Sequence, residues 1–163
     1  MAYSEQIKEL IQNYFDENDW HYIFHSDEDV TYFKAGIKLD SKLRRCDIIV
    51  DIREDYYISF AKIALGADED SMAAVSEYLH RVNFGLKLGN FELDPSDGEI
   101  RYKMYVDCGD DCDCMPTESV ICRSIELPAT MVEKYGDGLM KVLLGQATPE
   151  ETSDAAEEEE EMP

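Results

Sequence analysis

The sequence predicts an α+β fold, a single antiparallel sheet with helices on one side. Three observations carry this reading. Apolar residues return at helical spacing in three stretches, and they alternate with polar residues in five shorter ones. The order of the segments, α-β-β-β-α-β-β-α, then gives each strand one fully apolar face that the helices can cover.

The first helix is expected over residues 4–17, where Ile7, Leu10, Ile11, Tyr14 and Phe15 form one stripe and Glu5, Lys8, Glu9 and Gln12 face away. Trp20-His21-Tyr22-Ile23-Phe24 has strand composition, but five residues without clean alternation do not settle its state. A three-strand meander follows. Ala35, Ile37 and Leu39 alternate with polar neighbours, as do Cys46, Ile48, Val50 and Ile52, and Asp40-Ser41-Lys42 supplies the turn between them. Tyr56 to Ile63 is β-branched and aromatic and reads as the third strand. Met72, Val75, Leu79 and Val82 restore the helical period behind the acidic cluster Asp68-Glu69-Asp70, which suits the positive end of a helix dipole, and Gly85 is placed to stop that helix. Leu88, Phe91 and Leu93 lead through Asp94-Pro95-Ser96-Asp97-Gly98 into Ile100, Tyr102, Met104 and Val106, a hairpin. Thr117 to Gly145 is expected to be helical, with breaks at Pro128 and at Gly136-Asp137-Gly138. The body therefore spans residues 1–147. Residues 148–163 form an acidic tail, a short helix or disordered: Thr148-Pro149-Glu150-Glu151 is a capping box with little expected to hold it down, and Glu157 to Glu161 favour a solvated, frayed end.

Charge narrows the function classes. Fifteen Lys and Arg stand against 37 Asp and Glu, a net charge of −22, of which −14 remains without residues 149–163. Such a field repels phosphate backbones and anionic headgroups, so neither nucleic acid nor membrane is expected as a partner. No apolar run approaches the ~20 residues of a membrane span, and the start lacks the pattern of a secretory signal, so a cytoplasmic protein is expected. Its five cysteines are then expected to be reduced thiols.

The stretch Asn83-Phe84-Gly85-Leu86-Lys87-Leu88-Gly89-Asn90-Phe91-Glu92-Leu93-Asp94, followed by Asp97-Gly98-Glu99-Ile100-Arg101-Tyr102, resembles the signature region of the YbjN family, labelled bacterial sensory-transduction regulators. Tyr135-Gly136-Asp137-Gly138-Leu139-Met140 with Thr148-Pro149-Glu150-Glu151 is similar to that family's closing helix and acidic extension. The resemblance implies a fold like that of type III secretion chaperones. It also implies a non-enzymatic, acidic, homodimeric protein that holds an extended segment of another polypeptide, with no cofactor. The cysteine-rich loop and the long glutamate run depart from the family's pattern.

Two sets of residues are candidates for function. Ile49 and Tyr105 interrupt the charged outer face of the sheet and mark an interaction surface, although single apolar residues on a surface are ordinary. Cys108, Cys112 and Cys114 stand with Asp110, Asp111 and Asp113 in one loop and are candidate metal ligands, the basis of an alternative reading as a metal-binding module. That loop lacks the second short-spaced pair of a structural zinc site, and Cys122 or Cys46 would have to complete it. His21 and His25 read as extended, ~13 Å apart, too far for one ion. No nucleophile motif or phosphate-binding glycine loop is present.

Overall fold

The computed structural model describes residues 3–109 and 114–153. The cysteine-loop residues 110–113, the glutamate run expected to fray and the first two residues lie outside that range. Within it the order is α1 (Glu5–Glu17), β1 (Tyr22–Ser26), β2 (Thr31–Lys38), β3 (Arg45–Ile52), β4 (Tyr56–Ile63), α2 (Met72–Gly85), β5 (Asn90–Leu93), β6 (Ile100–Asp107) and α3 (Glu118–Leu143). One six-stranded sheet, wholly antiparallel, runs β1-β2-β3-β4-β6-β5. The meander has four strands before α2, not the expected three: the ambiguous Tyr22–Ser26 segment pairs with Thr31–Ala35. Leu88 lies before β5 and not in it.

The dry layer sits between the sheet and the helices. From the sheet come Phe33, Ile48, Val50, Ile52, Tyr57, Ala61, Ile63, Phe91 and Tyr102; from the helices Ile7, Ile11, Phe15, Val75, Leu79, Ile121, Ile125, Val132 and Leu139. Local signals place the helix ends. Ser4 Oγ accepts from the Ile7 N–H at 3.2 Å. Asp68 Oδ1 accepts from the Ser71 N–H at 2.9 Å in the turn that leads into α2, whose cap residue, Ser71, makes no side-chain bond to the helix.

The expected breaks in the last helix do not occur: α3 runs unbroken through Pro128 and both glycines. Proline removes the N–H that would bond the carbonyl four residues back, which is Ser124. That carbonyl is taken by the Ser59 hydroxyl of β4, while Ser124 Oγ donates to Ile121 O at 2.9 Å and receives the Tyr57 hydroxyl at 2.7 Å. A tertiary donor thus replaces the lost helical one and pins α3 to β4. Gly136 and Gly138 serve close approach. A Cβ at Gly136 would lie 2.7 Å from Leu43 Cδ1, and one at Gly138 would lie 2.5 Å from the Tyr78 hydroxyl. Between them Asp137 accepts from the Lys42 N–H at 2.7 Å, and Glu133 accepts from the N–H groups of Asp40 and Ser41 at 3.0 and 2.7 Å, fastening the β2–β3 turn to α3.

The capping box forms as read: Glu151 accepts from the Thr148 N–H at 3.1 Å, and Thr148 Oγ1 accepts from the Glu151 N–H at 3.3 Å. The helical turn at 149–153 is held down, however, because Thr152 and Ser153 are buried and Thr152 sits against Gly138. Residues 149–153 thus form a short helical turn packed against α3. No helix among the described residues is long and apolar enough to cross a membrane.

Candidate functional site

With the helices gathered on one face, no helix among the described residues covers the other face of the sheet. The strand register fixes which side chains project there. One row across the sheet is Ile23, Lys34, Ile49, Phe60, Lys103 and Asn90; the next is His25, Tyr32, Asp51, Ile58 and Tyr105. A third is Gly36, Asp47, Lys62, Arg101 and Glu92.

Both residues expected to mark this surface lie on it. Tyr105 is 56% exposed and its ring rests 5.2 Å from that of Tyr56. Ile49 is half-buried and faces Phe60 directly across the β3–β4 pair. Ile49 and Phe60, together with Val30, Tyr32, Asp51, Lys62, Glu99 and Arg101, line a shallow hollow of about 200 Å³ in the open face, and Tyr105 lies outside its lining. The Arg101 guanidinium lies 4.3 Å over the Phe60 ring. Asp51 Oδ2 accepts from Arg53 at 2.7 Å, but Oδ1 is buried with no hydrogen-bond partner among the described residues.

The apolar component is larger than the sequence reading allowed, for Tyr32, Tyr56, Ile58 and Phe60 join Ile49 and Tyr105. The missed signal was in β4 itself. Tyr56, Ile58 and Phe60 face out while Tyr57, Ala61 and Ile63 face in, so the strand is apolar on both sides and alternation could not say that its outer side was uncovered.

The electrostatics of this face differ from those of the chain. Its strands project Lys34, Lys38, Arg45, Lys62, Arg101 and Lys103, six of the fifteen basic residues, against Asp47, Asp51, Glu92 and Asp107, four of the 37 acidic ones. The charges are interlaced: Lys34 and Arg45 reach Asp47 at 2.8 and 3.3 Å, Arg101 reaches Glu92 at 2.9 Å, Lys103 also pairs with Glu92, and Lys62 pairs with Glu99 at the rim. Burial opposes ionisation of Glu92, but hydrogen bonds from Lys103 and Arg101 outweigh it and leave its carboxyl below the usual range. The same balance, with Lys34 and Arg45 as donors, lowers Asp47.

The cysteines are placed elsewhere. Cys108 is fully buried, its Sγ 3.8 Å from the Val106 carbonyl oxygen, and burial aided by the charges of Asp107 and Asp55 pushes its thiol up to about 11. Cys114 is exposed, Cys122 half-buried and Cys46 buried, and Cys112 lies outside the described residues. Among the described residues no group of three or more His, Cys, Asp or Glu side chains is arranged to hold a metal ion. His25 pairs with Asp27 at 2.8 Å on the exposed edge of β1.

Compared with known protein families, curated proteins and solved structures, the chain matches none.

Proposed function

We propose that this protein is a non-enzymatic protein-protein interaction module of the YbjN and secretion-chaperone type, cytoplasmic and homodimeric, that holds an extended segment of another polypeptide against the open face of its sheet. The single observation that carries the reading is this uncovered face, a central apolar hollow in a field of nearly balanced charge on a chain whose net charge is −22. Elsewhere an approaching acidic protein meets like charge; here it meets interlaced pairs that cost little to approach and apolar side chains whose burial is favourable. An extended segment also supplies backbone N–H groups, the kind of donor that the unpartnered Asp51 Oδ1 lacks. The family likeness rests on the motif residues of 83–102 together with those of 135–140 and 148–151. In the first of these stretches two residues serve shape: Asn83 bonds both backbone groups of Phe91, at 2.9 and 2.7 Å, and Gly98 takes φ +78° where a Cβ would lie 1.9 Å from Ala67 O.

Affinity capture with the full chain, set against Ile49→Glu/Phe60→Glu and against Tyr105→Ala, tests the surface. A polypeptide held by the parent is expected to be lost from the double variant, whose circular dichroism should be unchanged. Retention of that polypeptide would remove the open face from the mechanism. Zinc measured in the same preparations provides the contrary outcome: stoichiometric metal that vanishes when Cys108, Cys112 and Cys114 become serine would replace this reading with a metal-binding one.

A further inference from the structure

The two edges of the sheet are finished differently. At the β5 edge the Asn83 side chain accepts from the Phe91 N–H at 2.7 Å and donates to its carbonyl at 2.9 Å, so an incoming strand finds those groups taken. The β1 edge has no such plug among the described residues. Asp27 N–H donates to Val30 O at 3.0 Å at the foot of the β1–β2 hairpin. Counting back in twos, His25 and Ile23 turn their backbone groups to β2, while Tyr22, Phe24 and Ser26 turn theirs outward, where no described strand follows.

The side chains leave this edge open as well. Trp20 to Ser26 contains none of the chain's 37 Asp and Glu, none of its 15 Lys and Arg, and no Pro, the residues that commonly keep an edge from pairing. Ile23 is 59% exposed on the open face. On the helix side Phe24 lies 4.8 Å from the Phe33 ring and 6.4 Å from that of Tyr3, yet it is 38% exposed, because the aromatic cluster stops at the edge.

We propose that two copies of this chain join here, β1 against β1 in antiparallel pairing about a two-fold axis at Phe24. This gives the homodimer of the reading above its interface and rests on that part of it. Phe24 exchanges both backbone hydrogen bonds with its own copy and Tyr22 does so with Ser26, about six bonds in all, while Ile23 stands opposite His25 on the open face. A second copy is the occupant because the set is self-complementary: it supplies each outward N–H and C=O with a partner and continues the aromatic cluster with its own Phe24. The seam also lets two chains of −22 meet along strands that carry no Asp or Glu. The two sheets become one, and their open faces one platform.

Sedimentation equilibrium of the full chain at ~0.15 M salt, where repulsion beyond ~8 Å is screened, should show a dimer. Ile23→Lys puts a charge on the edge at an exposed position and should weaken that dimer about tenfold or more, with circular dichroism unchanged. Register is read by mixing Ile23→Cys protein with His25→Cys protein under mild oxidation. Opposite positions hold their Cα atoms ~4.5 Å apart, within disulfide reach, whereas like positions lie diagonally at ~7–8 Å. Peptide mapping of the mixture should show position 23 of one chain linked to position 25 of the other about fivefold faster than like positions link in either variant alone. A dimer indifferent to Ile23→Lys, or one without the 23-to-25 link, would overturn this interface and leave the homodimer standing. A monomeric parent would overturn both, while polypeptide capture by the open face is read separately with Ile49→Glu/Phe60→Glu.

Discussion

Ser59 is the residue on which the last helix depends most locally. It is a fully buried hydroxyl in a strand, and its donor goes to the Ser124 carbonyl that Pro128 leaves without a helical partner. Ser59→Ala should leave that carbonyl buried and unpaired, at a loss of about 1–3 kcal/mol in a denaturant titration. Pro128→Ala in the same background restores an N–H four residues on and should recover part of the loss. The double-mutant cycle is expected to give a coupling of about 0.5–3 kcal/mol, and additivity would refute the substitution of one donor for the other. Tyr57 belongs to the same network: Ser124 spends its proton on Ile121 O, so the Tyr57 hydroxyl is the donor in their 2.7 Å bond.

Among the elements, α3 and the turn at 149–153 behave as one unit through Gly138. Gly138→Ala gains up to about 1 kcal/mol of helix propensity, yet it drives a methyl to 2.5 Å from the Tyr78 hydroxyl and 2.8 Å from Thr152, an overpacking that costs about 1–3 kcal/mol. Tyr78 is not free to retreat, because its hydroxyl donates to Tyr135 O at 3.1 Å. A net loss is expected, with amide exchange at 149–153 faster than in the parent; unchanged exchange there would show that the turn is not held by this contact. The edges of the sheet also differ. Asn83 occupies the outer edge of β5 at Phe91, while β1 presents Tyr-Ile-Phe-His-Ser with no Lys or Pro, an edge not blunted in the usual ways.

Across the whole molecule, buried acids of high pKa set the response to alkali. Burial holds Cys46, Tyr57 and Tyr102 protonated to about 12 and Cys108 to about 11, against ordinary values of 9.0 for Cys and 10.0 for Tyr. Between pH 9 and 12 the folded chain therefore binds more protons than the unfolded one. Stability is full below pH 9 and falls as pH rises, by up to about 1.4 kcal/mol per pH unit for each group. The urea midpoint should drop clearly between pH 8 and 10.5, and a flat profile would contradict the burial of these groups.

The α+β class, all three helices and five of the six strands were legible locally, the helices and four strands from spacing and β4 from its β-branched and aromatic composition, because periods and propensities are properties of near neighbours. The capping box at Thr148 was legible for the same reason. Ile49 and Tyr105 were found as gaps in a charged alternation. Phe60 and Ile58 were not, since a strand apolar on both faces hides which one is roofed.

What the sequence determined by itself was the set of elements and the acidity of the chain, properties carried by neighbours within a few turns. The tertiary structure alone decided three things. It carried α3 unbroken through Pro128 and its glycines, by supplying Ser59 as a donor and Leu43 and Tyr78 as close neighbours. It placed Cys108 in the core. It also left one sheet face uncovered by any described helix, with basic residues drawn together on it, because charge clustering across six strands depends on register between distant segments and not on spacing within any one of them.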